Sequence, residues 1–232
     1  MIVVTGAAGF IGSQLVSRLN HEGFFDIVLV DDFTKREKKN NYSNLKFTKK
    51  VDRKEFVKWL KKNENQVQFI FHLGARTDTA ETNVELFNKL NLDYSKEVWR
   101  LCVEYGLALV YASSAATYGD GTNGYSDSHE VVKDLKPLNP YGDSKNDFDK
   151  WALEQEHKPY FWAGLKFFNV YGPGEGHKNR MASVVLHTFR QVNETGGMKL
   201  FRSHNPEFKD GEQTRDFVYV KDVCKVCYHM MI

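Results

Sequence analysis

The sequence predicts a doubly wound α/β fold built on a parallel sheet, and three observations carry that reading. An apolar run at the start passes through a glycine turn into a helix-periodic stretch. Strand-like apolar runs then alternate with helix-like segments five times, as a parallel sheet covered on both faces requires. The runs also end in small or polar residues, at the strand ends where such sheets bind ligands.

In chain order, Ile2 to Thr5 reads as a buried strand. It leads into Gly6-Ala7-Ala8-Gly9-Phe10-Ile11-Gly12 and a helix through Leu15, Val16 and Leu19. Glycines at 6, 9 and 12 let backbone approach an anion that faces helix N–H groups. Asp26 to Val30 is the second strand and ends in Asp31-Asp32, an acid pair placed to accept from ribose hydroxyls of NAD. Lys35, Arg36 and Lys38 follow at once, and such cations could hold the 2′-phosphate of NADP. Both cofactors stay open at this point. Leu45 to Thr48 reads as the third strand and Arg53 to Lys62 as a helix. Val67 to Phe71 reads as a central strand ending in His72-Leu73-Gly74-Ala75, with His72 either a base or a structural residue. A long helix over 84–104 carries Asn91. Leu107 to Ala112 then delivers Ser113-Ser114, and a polar loop fills 119–139. A helix from Tyr141 to about Gln155 and a strand from Ala163 to Phe168 complete this part. Beyond it come a turn-rich stretch, a helix over 181–192, a strand from Met198 to Phe201, a charged loop, and Asp216 to Val220. A boundary near 168 separates a dinucleotide-binding part (1–168) from substrate-binding segments (169–232).

Composition narrows the function classes. A net charge of +2 implies no nucleic-acid field. No apolar run is long enough to span a bilayer, and Met1 leads into Ile-Val-Val without a signal peptide's regions, so a cytoplasmic protein is expected. Three cysteines give no disulfide framework. Cys224, Cys227 and His229 make an incomplete zinc set, so core packing is expected there and no metal.

The chemistry centres on Tyr141 and Lys145. At i and i+4 of a helix their side chains share one face, and Pro140 fits that helix's first turn. A lysine ammonium so placed could lower the tyrosine's pKa from about 10. Ser114, Tyr141 and Lys145 all fall near strand carboxyl ends. A serine donating to a substrate oxygen while a phenolate removes its proton allows hydride transfer to a nicotinamide. No acid or histidine stands near Ser114 in sequence, which disfavours hydrolysis.

These motifs resemble the extended short-chain dehydrogenase/reductase superfamily: the Gly6, Gly9, Gly12 turn, the serine after the fifth strand, and Tyr-x-x-x-Lys. Within it, Tyr111 to Gly119, Phe168 to Pro173, Glu175-Gly176-His177-Lys178 with Met181 to Val184, and Arg215 to Val220 resemble the ADP-glyceromanno-heptose 6-epimerase family. The resemblance implies a Rossmann fold and an isomerase that inverts C6 of ADP-D-glycero-D-manno-heptose for the lipopolysaccharide inner core. It implies transient oxidation by tightly held NADP, or NAD, and a homo-oligomer. Tyr141, with Ser114 and Lys145, would serve one face of the sugar and Lys178 the other. Implied cofactor contacts are Gly6, Gly9, Phe10, Ile11, Gly12, Asp31, Asp32, Lys38, Arg53, Leu73, Ala75, Asn91, Tyr141, Lys145, Val170 and Lys178. Implied substrate contacts are Ser114, Asn169, His187, Phe201 and Arg215.

Several residues depart from the family pattern. Asp32 stands where an asparagine is usual, Arg180 replaces a small residue at a substrate position, and the 204–214 loop is longer than usual. The sequence ends at Ile232 inside a helix, so the substrate-binding part is expected to be incomplete relative to the family. Alternatives are a UDP-hexose 4-epimerase, which would leave Lys178 without a role, and a catalytically incomplete dinucleotide-binding protein. A 4,6-dehydratase would need an acid pair where Ala115 and Ala116 stand.

Overall fold

A computed structural model describes residues 1–204 and 206–232. Six parallel strands run in the order β3-β2-β1-β4-β5-β6, formed by Lys49–Asp52, Ile27–Asp31, Ile2–Thr5, Phe69–His72, Ala108–Ser114 and Trp162–Phe167. A separate parallel pair joins β7 (Asn169–Tyr171) to β8 (Phe217–Tyr219). The order in which strands are added reverses between β1 and β4, which opens the crevice where such folds hold ligands. Register aligns the rim there, with Thr5 opposite both Val30 and His72 and with Ser114 opposite Phe167.

Period-2 alternation builds two cores. Ile2, Val4, Leu29, Phe71 and Val110 face α1 (Phe10–His21) and α8 (Val220–His229), meeting Leu15, Leu19, Val223, Cys224 and Cys227. Cys224 and Cys227 therefore pack as core residues, and burial pushes both thiols up to about 12. On the other face Val3, Val28, Ile70 and Leu109 meet α3 (Phe56–Asn63), α5 (Tyr94–Glu104) and α6 (Pro140–Glu154) through Phe56, Leu60, Trp99 and Phe148. A short helix α2 (Lys39–Tyr42) follows β2. The helix expected over 84–104 is continuous but not uniform: α4 (Val84–Phe87) passes through a π-helical turn at Asn88–Asp93 into α5. Pro140 occupies the first turn of α6, capped by Asn139, whose side chain accepts from Gly142 N at 2.9 Å. α7 (Val184–Thr195) is capped by Ser183. Along the free edge of β6 lies a cavity of about 630 Å³, bordered by Tyr118, Trp162, Lys166 and Phe168. Among the described residues no helix is long and apolar enough to cross a membrane.

Two expected strands are corrected. The third strand lies at Lys49–Asp52 rather than 45–48. Leu45 and Phe47 do pack on the core, but from the connecting segment, while Val51 is the single fully buried residue of this edge strand. Met198 to Phe201 forms no strand; Met198, Leu200 and Phe201 are exposed. Of the 204–214 loop, Asn205 lies outside the described residues.

Trp99 is the anchor of the second core, 1% exposed, with the rings of Phe148, Trp151 and Trp162 centred 5.1–6.2 Å away. Trp99→Ala is expected to cost about 3–5 kcal/mol in denaturant unfolding. A loss under about 1 kcal/mol would show that this core does not depend on the indole.

Candidate active site

The glycine turn is packed too tightly for side chains. A Cβ on Gly12 would lie 2.2 Å from the Gly6 carbonyl oxygen, and one on Gly6, at φ +70°, 2.8 Å from Gly74 backbone. Gly9 begins α1 with no side-chain cap, so the helix's first N–H groups remain for an anion. Asp31 is buried at the end of β2, accepting from Ala8 N at 2.9 Å and from Lys38 Nζ at 2.8 Å. Asp32 accepts from both N and Oγ1 of Thr34. Those bonds, with the Arg53 and Lys35 charges, hold its carboxyl below the usual range against the opposing effect of burial. Arg53 Nη2 stands 3.9 Å from Asp32. These groups place acids and cations side by side next to the cradle, as the sequence suggested.

The loop after β4 is fixed from beneath. His72 contacts Thr5 Oγ1 at 2.8 Å through Nδ1 and Ser95 Oγ at 3.0 Å through Nε2. Burial pushes it down to about 3, so it is a neutral structural residue. Thr5 Oγ1 also accepts from Gly74 N, which seats Gly74 against Gly6. Asn91, in the π-helical turn, accepts from Arg76 N and donates to Arg76 O and Ser144 Oγ. Its amide is thus engaged by protein groups, and it braces the loop carrying Leu73 and Ala75. Ile11, Leu73 and Val170 are half-buried around the first core.

At the rim, Ser114 ends β5 and is 8% exposed. Tyr141 is half-buried; burial raises its pKa, and hydrogen bonding with Ser114 partly offsets the rise. This corrects the expectation that Lys145 lowers it. Lys145 instead directs its ammonium to the Ala112 carbonyl at 2.6 Å, inside the protein. Burial pushes Lys145 down to about 8, with Asp149 acting the other way.

A second segment reaches the cradle from the far half of the chain. Lys178 Nζ stands 5.7 Å from the centre of the Phe10 ring, at the start of α1. Burial lowers its pKa, opposed by Glu175. Glu175 is 2% exposed and ties both ends of this loop, accepting from Gly172 N and from Ser183 N and Oγ. Asn41 Nδ2 bridges Ala8 O and His177 Nδ1, each at 3.0 Å. Arg180 pairs with Asp78 at 2.7 Å, joining the Lys178 loop to the loop after β4. Sequence reasoning assigned no role to Asn41 or Glu175; Glu175 sits inside the Gly-x-Gly-His-Lys stretch, the only signal that could have flagged it. The expected substrate residues are more scattered. Asn169 donates to Asp216 O, His187 is half-buried on α7, and Phe201 and Arg215 are exposed.

The sequence matches the NAD dependent epimerase/dehydratase family over residues 2–232. An ADP-L-glycero-D-manno-heptose-6-epimerase from Fusobacterium nucleatum is 48% identical over 236 residues, covering 100% of this chain and 71% of that protein. The crystal structure of the Helicobacter pylori ADP-L-glycero-D-manno-heptose-6-epimerase aligns with a TM-score of 0.82 at 30% identity, covering 99% of this chain and 72% of that one. MoeE5 in complex with UDP-glucose and NAD aligns with a TM-score of 0.73 at 27% identity, covering 99% and 71%.

Burying the Lys145 ammonium has a testable cost. Its folded pKa near 8 lies below the ordinary 10.5, so the folded state binds its proton more weakly than the unfolded chain. Lys145→Met is therefore expected to raise stability by up to about 3 kcal/mol at neutral pH. The gain should be full below pH 8 and vanish as pH rises toward 10.5. Denaturant unfolding across that range checks it; a variant less stable than the parent at neutral pH would contradict it.

Proposed function

Because the chain belongs to the NAD dependent epimerase/dehydratase family, and within it to the ADP-L-glycero-D-manno-heptose-6-epimerases, we infer that it inverts C6 of ADP-D-glycero-D-manno-heptose. The protein is an isomerase of the epimerase class that acts on a nucleotide sugar. Its product then serves the lipopolysaccharide inner core. The observation that supports the two-base form of this reading is that Lys178 reaches the start of α1, with its ammonium over the Phe10 ring.

The residues present fit a nicotinamide dinucleotide, since the close glycine contacts leave room for backbone alone beside a diphosphate. Gly6, Gly9, Phe10, Ile11 and Gly12 would hold the diphosphate and Asp31, Asp32, Lys38 and Arg53 the adenosine ribose. Leu73, Ala75, Val170, Tyr141 and Lys145 would line the remainder. NADP is the proposed form, with NAD the alternative, because Lys38 and Arg53 place two cations beside the acid pair. When bound, such a dinucleotide would supply reversible hydride acceptance for C6.

The chain's own residues then manage protons and geometry. Tyr141 moves the C6 hydroxyl proton on one face, with Ser114 sharing the hydrogen bond that already eases its ionisation. Lys145 supplies a fixed positive charge one helical turn away. Lys178, whose pKa is lowered by partial burial so that it gives up its proton more readily, exchanges the proton on the opposite face. Asn169, His187, Phe201 and Arg215 are the proposed sugar-nucleotide contacts, with Arg215 suited to a diphosphate. Residues 1–168 hold the cofactor and 169–232 contribute to substrate binding in this reading.

A pair of variants tests the two-base mechanism. Tyr141→Phe and Lys178→Met should each cut epimerisation by about 10²–10⁴. Each should still handle a C6 aldehyde analogue through the face left intact. If Lys178→Met epimerises ADP-heptose within about tenfold of the parent, or about 1.4 kcal/mol, a single-base mechanism of the 4-epimerase kind replaces this one.

A further inference from the structure

Asp149 lies one helical turn beyond Lys145 on α6 and is 4% exposed. Its Oδ1 accepts from Tyr111 Oη at 3.0 Å. Its Oδ2 accepts from Ser113 Oγ at 2.5 Å and from Lys166 Nζ at 2.7 Å. Lys166, on β6, also donates to Thr117 Oγ1 at 2.8 Å, and that hydroxyl donates to the Ser114 carbonyl at 2.8 Å. Lys145 holds the intervening Ala112 carbonyl. Each of the four residues from Tyr111 to Ser114 is thus gripped by this network, on the strand end that delivers the serine.

We propose that Asp149 is a positioning residue of the active site, which through Ser113, Lys166 and Thr117 fixes the strand end carrying Ser114, with its carboxylate one helical turn from the buried Lys145. This rests on the reading of Ser114 and Lys145 as catalytic. Charge bookkeeping supports it. Two buried or half-buried ammonium groups flank the carboxylate of Asp149: Lys166 pairs with it at 2.7 Å, and Lys145 lies one helical turn away on α6 with its ammonium on the Ala112 carbonyl. The other titratable groups around them are His72 on β4, held neutral, Tyr111 on β5, raised by burial, Tyr118, whose ring lies beneath Lys166, and Tyr141 on α6. A second carboxylate, Asp127, borders the cavity beside Lys166 and Tyr118, and only Asp149 acts on Lys145. A buried cation that loses a nearby negative charge gives up its proton more readily.

The two charged partners should therefore act in opposite directions. Asp149→Asn keeps the shape but removes the charge. It should move the titration of Lys145, followed by NMR in lysine-labelled protein, to lower pH by about one unit. The alkaline limb of the kcat profile should follow it, with kcat about halved near pH 7 and the loss approaching about tenfold above pH 9. Lys166→Met leaves the carboxylate to Lys145 alone and should move the same titration to higher pH. Asp149→Asn/Lys166→Met removes both charges and should bring it back toward the parent. A role confined to folding would lower stability in these variants without moving Lys145. Should Asp149→Asn fail to fold, Lys166→Met still decides. An unmoved or downward-moving Lys145 titration in Lys166→Met overturns the proposal. A titration that moves as expected without any change in kcat would leave Asp149 in place as the partner of Lys145 and count against Lys145 as a catalytic group.

Discussion

An ammonium group held out of water needs a reason and a set of partners, and in this fold Lys145 has both. Its side chain runs from α6 under the rim to a carbonyl of β5, the strand that ends in Ser114. That contact ties the helix bearing Tyr141 to the strand bearing the serine at the level where the sheet opens. The helix must start where it does for the contact to form, and the Asn139 cap with Pro140 in the first turn sets that start. Burial of this kind weakens the folded state, and active sites commonly carry such a cost because function requires the group. Charge is offset locally, by a carboxylate one turn along the same helix.

The other half of the site depends on a loop brought across a long stretch of chain. Residues 172–183 leave the sheet, cross to the start of α1 and return to α7. A buried carboxylate, Glu175, closes that excursion by accepting from backbone at both ends. Side contacts through Asn41 to the glycine turn and through Arg180 to Asp78 hold the loop against both neighbouring loops. Asn179, next to Lys178, has φ 49°, a conformation unfavourable for a residue with a side chain. Such strain is maintained only where surrounding contacts fix it, and it falls beside the residue assigned to the second face.

Much of this was legible in the sequence where the determinants are local. β1, the glycine turn and α1 follow one another without a gap, and Tyr141 and Lys145 are one turn apart. The alternation of strands and helices fixed the order of elements. What sequence could not reveal depends on distant partners. The third strand was misplaced because an edge strand buries one side chain, Val51, and leaves little periodicity to read. Met198 to Phe201 looks like a strand by residue type, yet its apolar side chains are exposed and no ladder forms. Asp149 meets Tyr111, Ser113 and Lys166 at separations of 38, 36 and 17 residues, and Asn41 meets His177 at 136. The direction of the Tyr141 shift was misread for the same reason: helical spacing shows that Lys145 shares its face but not that the ammonium is committed to Ala112.

The central claim is that C6 is inverted by removing a hydride and returning it within one closed site, while Tyr141 and Lys178 handle only hydroxyl protons. The most direct measurement uses ADP-D-glycero-D-manno-heptose carrying deuterium at C6, converted in ordinary water and examined by NMR. The account predicts that the inverted product keeps its deuterium at C6. Loss of the label to solvent in step with inversion would mean that C6 is deprotonated instead, and would contradict it.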